Sequence, residues 1–210
     1  MDPRYSEDEQ VEQLKSWWKK NGPSLIIGVV LGLGIVIGWQ GWGVYTASRA
    51  EEASSLYQLL LGVQSESALE AGDRLIKEFT DTPYAAKAAL LLAAAAVKRG
   101  DAADARQHLN WVLENSEESG TLHAARLHLG QLELGEGNID DALAVLKVEE
   151  RSAFESHYRE LEGDAYSFKG DAASARTAYQ ESLAVIASDS PYRGFLEAKL
   201  ADLATIETAQ

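Results

Sequence analysis

Gly100-Asp101-Ala102-Ala103-Asp104-Ala105-Arg106 is the stretch from which the fold can be read, because its punctuation returns twice. It recurs as Gly137-Asn138-Ile139-Asp140-Asp141-Ala142-Leu143 and as Gly170-Asp171-Ala172-Ala173-Ser174-Ala175-Arg176, at intervals of 37 and 33 residues. Glycine followed by Asp or Asn suits a helix stop, a tight turn and a new N-cap. Each copy therefore marks the bend of a helical hairpin. Small residues also stand 12 positions before each motif alanine, at Ala93, Gly130 and Gly163, and a large residue follows it by four, at Leu109, Leu146 and Tyr179. The small pairs let two helices approach closely, and the large residue fills the space between hairpins. From residue 45 onward no sustained period-2 run of β-branched residues occurs, so helix is the expected state. Helices are expected over about 45–63 and 67–79, then a turn at Asp81-Thr82-Pro83. Hairpins follow at 84–99 with 102–115, 121–136 with 139–149, and 154–169 with 172–187. A last helix over 191–206, opened by Ser190-Pro191, caps the stack.

A repeat of this length and pattern resembles the tetratricopeptide repeat, whose period is 34 residues. Three units match between about residues 84 and 187, without the usual bulky residue early in the first helix of each. The first helical pair has no Gly-Asp turn. The fold expected is all-α: one N-terminal transmembrane helix, then a tetratricopeptide-like α-solenoid of helical hairpins with a C-terminal capping helix. Repeat stacks bind peptides or proteins along a concave face lined by their first helices. By resemblance that face includes Leu90, Ala94 and Val97, then Leu127, Gln131 and Leu134, and further along His157, Glu160 and Asp164. Leu90, Val97, Leu127 and Leu134 fit a core reading as well as a groove.

Upstream of the repeats, LIIGVVLGLGIVIGWQGWGV over residues 25–44 has Gln40 as its one strongly polar side chain. Twenty helical residues cover about 30 Å, the thickness of a bilayer hydrocarbon core. Eleven of them are Leu, Ile or Val, which together favour insertion by about 3 to 7 kcal/mol before the glycine and Gln40 costs. Trp17 and Trp18 before the run, and Trp39, Trp42 and Tyr45 at its far end, suit the headgroup level. The run exceeds a secretory h-region and no clear A-x-A site follows it, so an uncleaved span is expected. Lys15, Lys19 and Lys20 precede it, whereas Arg49 is the one base within 20 residues after it. The positive-inside rule then assigns residues 1–24 to a cytoplasmic tail, 25–45 to the membrane helix and 46–210 to a periplasmic repeat domain. Gly28 with Gly32, and Gly34 with Gly38, have the small-xxx-small spacing that lets membrane helices pack closely. Glycine is also simply common in such helices. Gly32-x-Gly34-x-x-x-Gly38 misses the dinucleotide fingerprint, with Ile37 at the third glycine position and no strand before it.

Charge and composition narrow the function. The residues beyond the span hold 28 of the 33 acids and 15 of the 19 bases, an excess that repels phosphate backbones and anionic lipid heads. Nucleic acid is not an expected partner. The chain has no cysteine, which removes disulfides, thiol catalysis and zinc–thiolate sites. His108, His123, His128 and His157 form no zinc-protease pattern, and neither a G-x-S-x-G elbow nor a phosphate-cradling loop occurs. No catalytic, cofactor-binding or metal-binding residues are assigned, no cofactor is expected, and the chain does not read as an enzyme.

Gln10-Val11-Glu12, Lys15, Trp17-Trp18 and Asn21-Gly22 lead into Gly28-Val29-Val30-Leu31-Gly32-x-Gly34 and end at Ile37-Gly38-Trp39-x-x-Trp42. With a short acidic tail and tetratricopeptide-like repeats, this resembles the YfgM family, the ancillary subunit of the bacterial SecYEG translocon. The lysine pair Lys19-Lys20 and the acidity of the repeat domain depart from that pattern. The resemblance implies a bacterial inner-membrane protein whose periplasmic domain meets emerging secretory polypeptides beside the translocon, together with a membrane-anchored parvulin-type periplasmic chaperone. It offers no catalytic residues. A membrane-anchored scaffold for cell-envelope assembly, or a signalling regulator working through its tail, is the alternative.

Overall fold

The computed structural model describes residues 7–62 and 66–208, and among them all regular structure is helical. The chain divides into two compact units, Met1–Glu52 and Ala53–Gln210.

The first unit is carried by α1, Glu7–Gly62, whose last turns belong to the second unit. The helix runs through Pro23 and on past the apolar stretch without a break. A separate helix is expected from near residue 45; instead Thr46 to Leu61 continues α1, since it holds good helix formers and neither Gly nor Pro. An 18-residue window of α1 reaches a mean hydropathy of 2.0 with 6% of it buried. Ile35, Ile37 and Trp39 are 71%, 69% and 82% exposed. A helix this apolar on every side is long and apolar enough to cross a membrane.

The second unit is a stack of antiparallel hairpins. Its helices are α2 (Glu66–Glu78), α3 (Pro83–Arg99), α4 (Ala102–Asn115), α5 (Ser119–Gly135), α6 (Ile139–Leu146), α7 (Glu155–Phe168), α8 (Ala172–Val185) and α9 (Arg193–Thr208). Each packs on its chain neighbour, and α5 also meets both α3 and α7. This is the expected solenoid, closed at its end by α9. Ala53, Leu56, Tyr57 and Leu60 at the end of α1 pack with Leu75, Phe79, Tyr84 and Ala88, which starts the stack.

The three Gly-Asp/Asn bends are built alike. Gly100, Gly137 and Gly170 have φ of 76°, 82° and 78°, the left-handed region where a Cβ is penalised. In each bend the N–H of the next residue reaches back to the carbonyl five residues before it: Asp101 to Ala96, Asn138 to Glu133, Asp171 to Tyr166, at 2.8–2.9 Å. That is the Schellman closure. Asp101 and Asp171 then cap the next helix by accepting from the N–H of Asp104 and Ser174. Asn138 instead donates its amide to Glu133 Oε2 at 2.8 Å, and Arg106 Nη2 donates to the same oxygen at 2.9 Å. The hydrogen bond from Arg106, reinforced by Asn138, holds the buried Glu133 carboxyl below its ordinary range.

Inside the hairpins the small and large positions meet as the repeat demands. Ala93 packs in one cluster with Leu109, Val112 and Leu129. A Cβ on Gly163 would lie 2.4 Å from the Tyr179 ring, and one on Gly130 would lie 3.1 Å from Leu146. Helix α6 is short, ending at Leu146 where 139–149 was expected. Val148 and Phe154 turn back onto the core beside Leu146 and Tyr158, so the chain leaves the helix to place them.

Candidate protein-interaction site

The residues of the membrane helix form two separate strips. Gly28 and Gly32 lie one turn apart, as do Gly34 and Gly38, but Gly32 and Gly34 are rotated by about 200°. A Cβ at any of the four would meet nothing within 4 Å. Each strip is thus an open, shallow track between larger side chains.

In the repeat unit, the first helices α3 and α5 leave a cleft of about 470 Å3 between them. Its wall on α3 is Leu90, Ala94 and Val97; on α5 it is His128, Gln131 and Leu132, with Leu109 of α4 between. Val97 is 53% exposed, and Ala94 and Gln131 are exposed beside it. An exposed valine beside open alanine carbons is an apolar surface left for a side chain to cover. Leu127 and Leu134 take another position: they pack with Leu146, Leu161 and Tyr158 in the core between the second and third hairpins. His128 and Leu132 escaped the sequence reading. The signal for them was present, since both share the i, i+3, i+4 face of Gln131 and Gly135.

Farther along, His157, Glu160 and Asp164 on α7 are brought together, and α9 lies on them. Lys199 Nζ donates to Glu160 at 2.7 Å and to both Asp164 oxygens at 2.6 and 2.7 Å. Tyr192 Oη donates to Glu160, Tyr179 Oη donates to Asp164 at 2.7 Å, and His157 stacks on Tyr192. Burial first, and then the carboxylate each faces, pushes both phenols well above the ordinary tyrosine range. They remain neutral donors at any physiological pH. The polar stretch is therefore filled by the chain's own last helix, whereas the apolar stretch between α3 and α5 stands open. What the arrangement can do chemically is bind: an apolar cleft with a few polar groups at its rim, presented on rigid helices.

Comparison with known proteins places these features in context. The family model described as a tetratricopeptide repeat-like domain matches residues 15–205. A Haemophilus influenzae protein named "Ancillary SecYEG translocon subunit" is 30% identical over 178 residues, covering 83% of this chain and 87% of that protein. Proteins of the same name from Escherichia coli and Neisseria gonorrhoeae are each 29% identical. The first alignment covers 83% of this chain and 86% of the relative. The second covers 94% and 97%.

Proposed function

The chain belongs to the family of ancillary SecYEG translocon subunits built on a tetratricopeptide repeat-like domain, and from that premise we propose that it is a non-catalytic tether at the Sec channel. The span over residues 25–45 holds the repeat domain (46–210) in the bacterial inner membrane, with the tail (1–24) in the cytoplasm and the repeats in the periplasm. The observation that carries the reading is one long apolar helix joined to a stack of hairpins, in a chain similar over most of its length to the translocon subunits. Tethering confines the domain near the channel exit and raises its local concentration there without any added contact. The strips Gly28–Gly32 and Gly34–Gly38 would receive membrane helices of SecYEG. The cleft between α3 and α5 would take an apolar side chain of an emerging secretory polypeptide or of a membrane-anchored parvulin-type chaperone working alongside.

Site-specific photocrosslinking in intact membranes tests this directly. Probes replacing Gly28 and Gly38 are expected to capture a channel subunit, and probes replacing Ala94 and Gln131 a chaperone or a polypeptide in transit. A probe at the covered Glu160 should capture nothing. If the span and cleft probes yield neither translocon nor chaperone adducts, the proposal is wrong.

A further inference from the structure

His123 occupies an unusual place for a titratable side chain. It is 5% exposed, on α5, and its Nδ1 lies 2.9 Å from the hydroxyl of Tyr158 on α7, itself fully buried. Phe154 stacks on the imidazole at 4.9 Å between ring centroids. One side chain thus joins the second hairpin to the first helix of the third. The charged groups around it come from every neighbouring element. Arg126 lies one turn on along α5. Arg151, from the connection before α7, holds its guanidinium 5.0 Å from the Tyr158 ring and is paired with Glu162. Glu117, Glu149 and Glu150, with Arg126, line an open cavity of about 620 Å3 that also reaches His123.

We propose that His123 is a pH-sensitive fastener of the joint between the second and third hairpins. Neutral with its proton on Nε2, it accepts the Tyr158 hydroxyl proton at Nδ1 and holds α5 to α7. Protonated, its Nδ1 becomes a donor and the Tyr158 proton loses that acceptor, while a buried cation sits beside Arg126 with Arg151 close behind. The cavity offers it a wet alternative facing Glu117, Glu149 and Glu150, and taking that alternative releases Tyr158.

The direction of the pH effect follows from the surroundings. Burial first, and then Arg126, lowers the His123 pKa, with Glu150 opposing. The unfolded or opened chain has a histidine of ordinary pKa near 6.5. Below that pH the opened form binds the proton and the closed form resists it. The stabilisation is therefore complete above about pH 6.5 and is lost as pH falls toward the folded value. His108 is half-buried beside Asp104 at 3.3 Å, and His128 and His157 are exposed, so His123 is the buried histidine of the four.

The test is amide hydrogen exchange on the full-length chain in detergent at pH 7.5 and 5.5, with exchange times scaled for the intrinsic pH dependence. Protection of 119–135 and 155–168 should fall by up to about tenfold relative to α3 and α4. In His123→Gln, which stays neutral, the fall should vanish. An equal fall in His123→Gln, or none in the unaltered chain, overturns the proposal. Should His123→Gln fail to fold, NMR titration of the His123 imidazole in the unaltered chain decides. A midpoint well below the ordinary histidine value of about 6.5 supports the fastener, and a midpoint at or above it refutes it.

Discussion

At the scale of single residues, the hairpins tolerate very different amounts of added volume at equivalent positions. Gly163 has no room, since a Cβ there would sit 2.4 Å from the ring of Tyr179. Tyr179 cannot yield easily, because its hydroxyl is committed to Asp164. Gly130 faces flexible leucine tips at 3.1–3.3 Å, and Ala93 already carries the methyl. Gly163→Ala should therefore destabilise the chain by about 1 to 3 kcal/mol, offset only partly by the better helix propensity of alanine. Gly130→Ala should lie near neutral. Thermal unfolding of the two variants in the same detergent measures the difference, and equal shifts would contradict this account of the packing. The sequence announced these positions through their spacing to the motif alanines. It did not announce Glu133, whose partners Arg106 and Asn138 stand 27 residues before and five after it, or the pairing of His123 with Tyr158. Such contacts join residues that no local period relates, so they become visible only once the hairpins are stacked.

At the scale of helices, the bends were the most legible feature and the ends of the stack the least. A glycine with an Asx residue after it fixes a left-handed turn and a new cap within two residues, so α3 through α8 begin and end close to where the motif puts them. The exceptions have local causes: Val148 and Phe154 draw the chain out of α6, and residues 46–61 lack a breaker and so prolong α1. The role of α9 as a cap was legible from its position after the last repeat. Its mode of attachment was not, because that depends on Lys199 meeting two carboxylates 35 and 39 residues earlier. Lys199→Met keeps the stem and removes the charge, leaving Glu160 and Asp164 facing each other. The expected cost is about 1 to 3 kcal/mol, concentrated in α9, whose amides should exchange faster while those of α3 and α4 are unchanged. Uniform acceleration throughout the stack would instead mean that α9 is integral to the whole core.

At the scale of the whole molecule, the lack of native cysteine makes the proposed topology directly measurable. Single cysteines placed at exposed Lys15 and at exposed Gln180 should behave oppositely in intact cells. A membrane-impermeant maleimide that passes the outer membrane should label position 180 and leave position 15 until the inner membrane is opened. The reverse pattern would invert the proposed orientation. The division of the inner surface into a stretch covered by α9 and an open cleft also has a temporal meaning. A cleft of about 470 Å3 has room for a few side chains and far less buried area than a lasting protein interface requires. With so little surface, differences in affinity are set mainly by how fast the occupant leaves. The helix that seals the polar stretch thereby shortens the dwell of whatever enters beside it, so that under the proposed role a passing chain would be touched and let go many times, as by a ratchet pawl without a spring, rather than gripped once.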